Sequence, residues 1–144
     1  MAWVLILSVA PGVLSADSIK FDFRDSKKVN NVVFLMDAPL ESINGTATGV
    51  SGTVSFDPAK PASTTGKIVL ATSSMHVDNP VMKKHMLDEG WMHVSKFPTI
   101  EFVAGKMTEV KTTGTTITGT IDGKLTVKGV TKKVSMPVRL TYLK

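Results

Sequence analysis

Residues Met75 to Phe102, MHVDNPVMKKHMLDEGWMHVSKFPTIEF, hold all three histidines of the chain (His76, His85, His93) and four of its eight methionines (Met75, Met82, Met86, Met92). Each histidine neighbours a methionine: Met75–His76, His85–Met86 and Met92–His93. Thioether sulfur with imidazole nitrogen suits a soft cation such as Cu(I). The histidines lie nine and then eight residues apart, a spacing that matches no local ligand motif. Adjacent residues also leave a helix or strand in different directions. Methionine clusters serve equally as adaptable apolar filling. The pattern leaves two readings open, a Met/His metal-binding (copper-type) protein or an apolar rim.

Catalytic chemistry finds less support. The chain has no cysteine. It carries no G-x-S-x-G elbow, no H-E-x-x-H and no glycine-rich phosphate loop. His85 and Glu89 stand one helical turn apart, which reads as a surface pair. No nucleophile, base and oxyanion donor can be grouped, so the expectation is a protein that is not an enzyme and needs no cofactor. Lys and Arg number 17 against 12 Asp and Glu, a net charge of +5. The positive residues are dispersed, with pairs only at Lys27–Lys28, Lys83–Lys84 and Lys132–Lys133. Nucleic-acid binders concentrate basic residues and interleave aromatics, so nucleic acid is not an expected partner. A transient contact with an anionic membrane surface fits the charge better.

The elements that must position the Met/His segment are strands. A chain of 144 residues suits one domain. Residues 1–16, MAWVLILSVAPGVLSA, carry no charged side chain, and their apolar run is too short to span a bilayer. They read as a signal peptide with small residues at its end, and no Lys or Arg precedes the run. The expected location is therefore periplasmic or secreted, with residues 17–144 as the folded domain. Ile19, Phe21 and Phe23 alternate with polar residues. Val32, Phe34 and Met36 mark the inner face of a second strand. Pro39 to Gly45 reads as a connection, and Val50, Gly52, Val54 and Phe56 as a third strand. Ile68 and Leu70 open the next. Ile100, Phe102 and Ala104 share a face. From Ile117 to Val127 every odd residue is apolar or glycine and every even one polar or charged, a period of two with one buried and one wet face. Val134, Met136, Val138, Leu140 and Tyr142 repeat the pattern, with Pro137 outward and an unpaired or bulged point expected there. One helix interrupts the strands. Asp78 and Asn79 can cap it, Pro80 suits its first turn, and Gly90 is placed to stop it.

Long antiparallel strands with short turns predict an all-β fold, an antiparallel eight-stranded lipocalin-like barrel with one short helical lid over Asp78–Pro98. Such a barrel holds one small ligand. The inward register selects Phe34, Phe56, Leu70, Phe102, Ile121, Leu125, Met136 and Leu140, and the lid adds Met82, Met86, Trp91 and Met92. These twelve residues are the candidate ligand-binding set. A packed core without a cavity is the other reading of the same residues. Gly119 and Gly123 also face inward, either to let the barrel bend or to leave room for a ligand.

Two stretches resemble the YceI-like family. His85 to Phe102, H-M-x(4)-W-M-H-V-x-K-F-P-T-I-E-F, is similar to a signature with a His–Leu pair, an aromatic pair, Asp–Val, Lys–Tyr–Pro and a strand ending in Phe. Gly123 to Val134, G-K-L-T-V-K-G-V-T-K-K-V, is similar to that family's closing G-x-L-T-x-x-G-V-T-K-x-V. The upstream G-x-V-S-F-D-P of Gly52–Pro58 fits as well. The resemblance covers Ser18 to Lys144. It implies an exported lipocalin-like barrel that encloses a polyisoprenoid or quinone-like lipid. It also implies ligand contact at Trp91, Met92 and Phe102, and turn-shaping roles at Lys96–Phe97–Pro98 and Gly129–Val130–Thr131. The sequence departs from the family where Arg–Asp is usual before His–Leu, with Met82 and Lys83 there, and where His93 replaces an acid. The resulting expectation is a lipid carrier or store. The Met/His metal protein is the alternative, a stress-associated structural module without ligand comes third, and a homodimer is left open.

Overall fold

Ile19 pairs with Phe56, and Phe21 with Val54. The first short strand thus lies against the third predicted one, apolar residues facing the same side. The computed structural model describes residues 18–39 and 41–141. The expected signal peptide of residues 1–16 and Tyr142 lie outside the described residues. Nine strands and one α-helix follow in order: β1 Ile19–Asp22, β2 Val32–Ala38, β3 Glu41–Ala47, β4 Val50–Phe56, β5 Thr65–Ala71, β6 Met75–His76, α1 Pro80–Leu87, β7 Thr99–Thr113, β8 Thr116–Val127 and β9 Val130–Thr141.

The strands form two antiparallel sheets among the described residues. One has six strands in the order β1-β4-β5-β7-β8-β9, the other three in the order β2-β3-β6. The all-β antiparallel expectation holds, but an eight-stranded barrel is not what is described: nine strands fall in two sheets, β1 and β9 are the edges of the large one, and no described ladder joins it to the small one. Alternation specifies which face of a strand is buried. Closure depends on hydrogen bonds between edges, which alternation does not encode.

The period of two holds through β8 and β9. Their register runs without a break from Thr116↔Thr141 to Val127↔Val130. Lys128 and Gly129 both have positive φ, 49° and 76°, which matches the twist of the joining strands. Pro137 pairs with Thr120 in this unbroken ladder, so the expected bulge is absent there. Its missing N–H is tolerated because β9 is an edge strand among the described residues. The irregularity falls in β7 instead, between Ala104 and Met107 and again between Thr108 and Lys111. An extra residue in one strand moves the inward face by one position. Phe102 and Ala104 face inward first, and Met107 then takes over at 2% exposure.

Pro39 to Gly45, expected as a connection, is replaced by strand β3. Its outward residues Ser42, Asn44 and Thr46 are exposed, and its inward ones are Ile43, Gly45 and Ala47. Glycine and alanine give a weak hydrophobic signal, which is why the strand is hard to read. Phe34 on β2 lies directly opposite Gly45, and a methyl group at Gly45 would collide with the Phe34 ring. The large residue fills the space that the small one leaves.

Helix α1 forms as its ends dictate. The Asn79 side chain accepts hydrogen bonds from the N–H groups of Val81 (2.9 Å) and Met82 (3.1 Å), and Pro80 follows it at the first helical position. Asn79 rather than Asp78 is therefore the cap. The helix ends at Leu87, before Gly90, with the Asp88 N–H donating to the carbonyls of Lys84 and His85. It buries Met86 against Ala47, Leu70, Met75 and Val77. Two further clusters complete the core, Phe56 with Met107 and Ile117, and Phe102 with Ala104 and Ile121.

Candidate apolar binding site

Inward residues of both sheets and the helix segment leave two apolar cavities. The upper one, of about 330 Å³, is lined by Phe34, Leu35 and Met36 of β2, Met75, Met86, Trp91, Met92, Ile100 and Val127. All nine are apolar. Leu35 is 75% exposed and Trp91 45% exposed, so the cavity opens at a rim of apolar side chains. The lower one, of about 240 Å³, draws on all six strands of the large sheet. Its wall includes Phe21, Val54, Ile68, Phe102, Ala104, Met107, Ile121, Met136, Val138 and Leu140, with Phe23 beside β1. Among the described residues, Thr64 and Arg139 are its only polar ones. Strand β7 walls both, through Ile100 above and Phe102 and Ala104 below.

The twelve expected residues divide among these places. Phe34, Met86, Trp91 and Met92 meet in the upper cavity, and Phe102, Ile121, Met136 and Leu140 in the lower. Met82 lines a third, smaller cavity beside the helix with Met86 and Trp91. Phe56 lies outside the cavity walls, 0% exposed in the core with Met107 and Ile117. Leu70 packs under the helix, and Leu125 rests half-buried against the Phe102 cluster. The inward register of these three is correct, but neighbours fill the space around them. Gly119 and Gly123 leave no room for ligand either. Side chains on them would run into Met107 and the Phe102 ring respectively. Sequence reading also left out several wall residues. Phe21, Phe23 and Met36 carried the alternation signal, whereas Met107 was hidden by the bulge.

The helix segment is fastened at its far end. Thr72, fully buried, donates its Oγ1 hydrogen to the Phe97 carbonyl (2.9 Å) and its N–H to the Pro98 carbonyl (2.9 Å). The connector folds back on the helix through Met92 N–H to Met86 O (3.0 Å) and Val94 N–H to Leu87 O (3.2 Å). His93 turns the chain at φ 48° and accepts the N–H groups of Lys96 and Phe97 on its carbonyl. Phe97 packs over Gly129, where a side chain would stand 3.0 Å from its ring. No sequence signal marked Thr72.

Ionisable groups stay at the surface. His76 approaches Asp78 at 3.8 Å and Lys67 pairs with Glu101 at 2.7 Å. Exposed pairs of this kind contribute little to stability. The three Met–His pairs do not assemble into one cluster. Among the cavities of the described residues, His85 and Met86 share one, and His76 and His93 line none of the three apolar ones. No three imidazole or carboxylate groups converge among the described residues. No described helix is long and apolar enough to cross a membrane.

Comparison with known proteins places the fold. UPF0312 proteins are 37% identical over 92 residues in Pseudomonas savastanoi, covering 64% of this chain and 46% of that protein. The Azotobacter vinelandii protein is 37% identical over 95 residues, 66% of this chain and 47% of that one. The chain thus matches about half the length of these curated relatives. Among solved structures, Burkholderia cenocepacia BcnA superposes with a TM-score of 0.57 at 24% identity, covering 74% of this chain and 63% of that one. A Campylobacter jejuni YceI protein superposes at 0.52 with 21% identity, covering 79% and 65%. The YceI-like domain model matches residues 18–143. With that match across nearly every described residue, on an antiparallel β framework shared with these structures, the chain belongs to the YceI-like family.

Proposed function

We propose that this protein encloses a long apolar chain, of the polyisoprenoid or quinone-tail class, and carries or stores it outside the cytoplasm. The observation that carries this reading is the upper cavity, whose nine described lining residues are all apolar and whose rim is open. An open cleft lined this way leaves apolar surface facing water, which an apolar chain would cover favourably. The lower cavity lies farther along β7, at Phe102 and Ala104, and offers a second apolar wall for a long chain. Encapsulation is the whole mechanism: each buried CH₂ contributes about 0.8 kcal/mol, and a long tail needs few polar contacts. The exposed Leu35 and Trp91 suit brief contact with a membrane surface during loading.

The test is mass spectrometry of an organic extract from protein purified without detergent out of a membrane-containing host. A stoichiometric apolar chain is the expected result. Met92→Asp and Met136→Asp place a charge in the upper and lower walls at half-buried positions, and both are expected to lose the bound chain while remaining folded. An extract free of lipid, or folded variants that keep a full complement of it, would overturn the reading.

A further inference from the structure

Met82, His85 and Met86 share one face of helix α1, because residues three and four apart are neighbours on a helix. That face closes a cavity of about 130 Å³, to which β2 contributes Met36 and the connector contributes Trp91. The cavity is well below the roughly 300–1,000 Å³ of small-molecule pockets. Three thioethers and one imidazole therefore share a space that suits an ion and a few atoms. The rest of its wall is aliphatic, and no carboxylate lines it among the described residues.

This donor set discriminates by chemistry. Calcium and magnesium require several oxygen ligands, which the cavity does not offer. Thioether and imidazole together match soft monovalent ions. An indole in the wall adds attraction for a cation. Access is graded: His85 is exposed at the mouth, while Met86 lies at the inner end at 5% exposure. Sequence spacing alone pointed to the three Met–His neighbours. The fold selects one of them and completes it with Met36 from a strand some fifty residues earlier.

We propose that Met36, Met82, His85 and Met86 bind one Cu(I) or Ag(I) ion beside Trp91. The site shares Met36, Met86 and Trp91 with the upper cavity, whereas of these two cavities Met82 and His85 line only the smaller one, so His85→Gln tests the metal site apart from the apolar-chain reading.

The experiment titrates the intact chain anaerobically with Ag(I), and with Cu(I) against a chromogenic Cu(I) chelator. A Trp3→Phe background leaves Trp91 as the reporting indole. One equivalent of metal is expected to bind, to change Trp91 fluorescence and to shift the Met36, Met82 and Met86 methyl signals in NMR spectra. Met36→Leu, Met82→Leu and His85→Gln are each expected to weaken binding at least tenfold. Met36 and Met82 are half-buried and His85 is exposed, so these variants retain the fold. Met92→Leu, outside this cavity, is expected to bind as the parent does. The proposal is overturned if the chelator keeps all the Cu(I). It is equally overturned if the three variants bind like the parent, or if Met92→Leu loses as much as they do.

Discussion

Thr72→Val removes a single hydroxyl from the fastening of the helix segment. The Thr72 side chain is fully buried and donates to the Phe97 carbonyl at 2.9 Å. Valine fills nearly the same volume but leaves that carbonyl without its donor. A buried polar group left unpaired costs about 1–3 kcal/mol. With a urea m-value of about 2 kcal/mol/M for a chain of this size, the unfolding midpoint is expected to fall by roughly 0.5–1.5 M. The second expectation is local. The amides of Met92, His93, Val94, Lys96 and Phe97 all donate to backbone carbonyls within the segment. Loss of the anchor should raise their hydrogen-exchange rates more than those of β8 amides, because local opening then precedes global unfolding. Thr72→Ser is the control: it loses a methyl group yet keeps the hydroxyl, so it is expected to preserve the exchange protection of the segment. If Thr72→Val lowers the midpoint while exchange rises uniformly over the chain, the hydroxyl supports the fold as a whole and does not hold the lid. An unchanged midpoint would mean that the bond has no net value. In the carrier reading, the same variant should also release bound lipid faster.

Phe56→Ala empties a site with 0% exposure between Met107 and Ile117, and a loss of about 3–5 kcal/mol is expected in urea unfolding; a loss under 1 kcal/mol would mean the cluster collapses freely. Asn79→Ala removes the cap of α1 and is expected to cost about 1 kcal/mol, with faster amide exchange at Val81 and Met82, the two N–H groups it now accepts. In the surface loop after β1, the backbone N–H of Asn30 and then that of Lys27, with those of Val29 and Lys28, hold the Asp25 carboxyl below its ordinary 3.8. A depressed folded-state pKa adds stability that is present above the unfolded value and lost as pH falls through the folded one. Asp25→Ala should therefore lower the melting temperature at neutral pH, and the gap to the parent should narrow on acidification below 3.8; a gap constant with pH would refute the assignment.

The residue pattern by itself determined the β class, the inward faces of β8 and β9, and the helix with its Asn79-Pro80 start, because each rests on local rules of alternation or capping. It also carried the family, through the motifs around His85–Phe102 and Gly123–Val134. Where side chains were small, the pattern was silent: β3 was hidden because Gly45 and Ala47 give no apolar contrast, and the strand is supplied by its pairing with β2. The bulge that turns Met107 inward cannot be read from alternation, since an inserted residue resembles a change of face. The separation of wall from core was decided by the tertiary structure alone. Phe56, Leu70 and Leu125 are as apolar and as inward as Phe102 and Ile121, yet neighbours fill the space around the first three and leave a cavity beside the other two. Volume left empty depends on how side chains from different strands meet, and so does the gathering of Met36 with the methionines of α1. Neither quantity exists until the sheets and the helix are brought together.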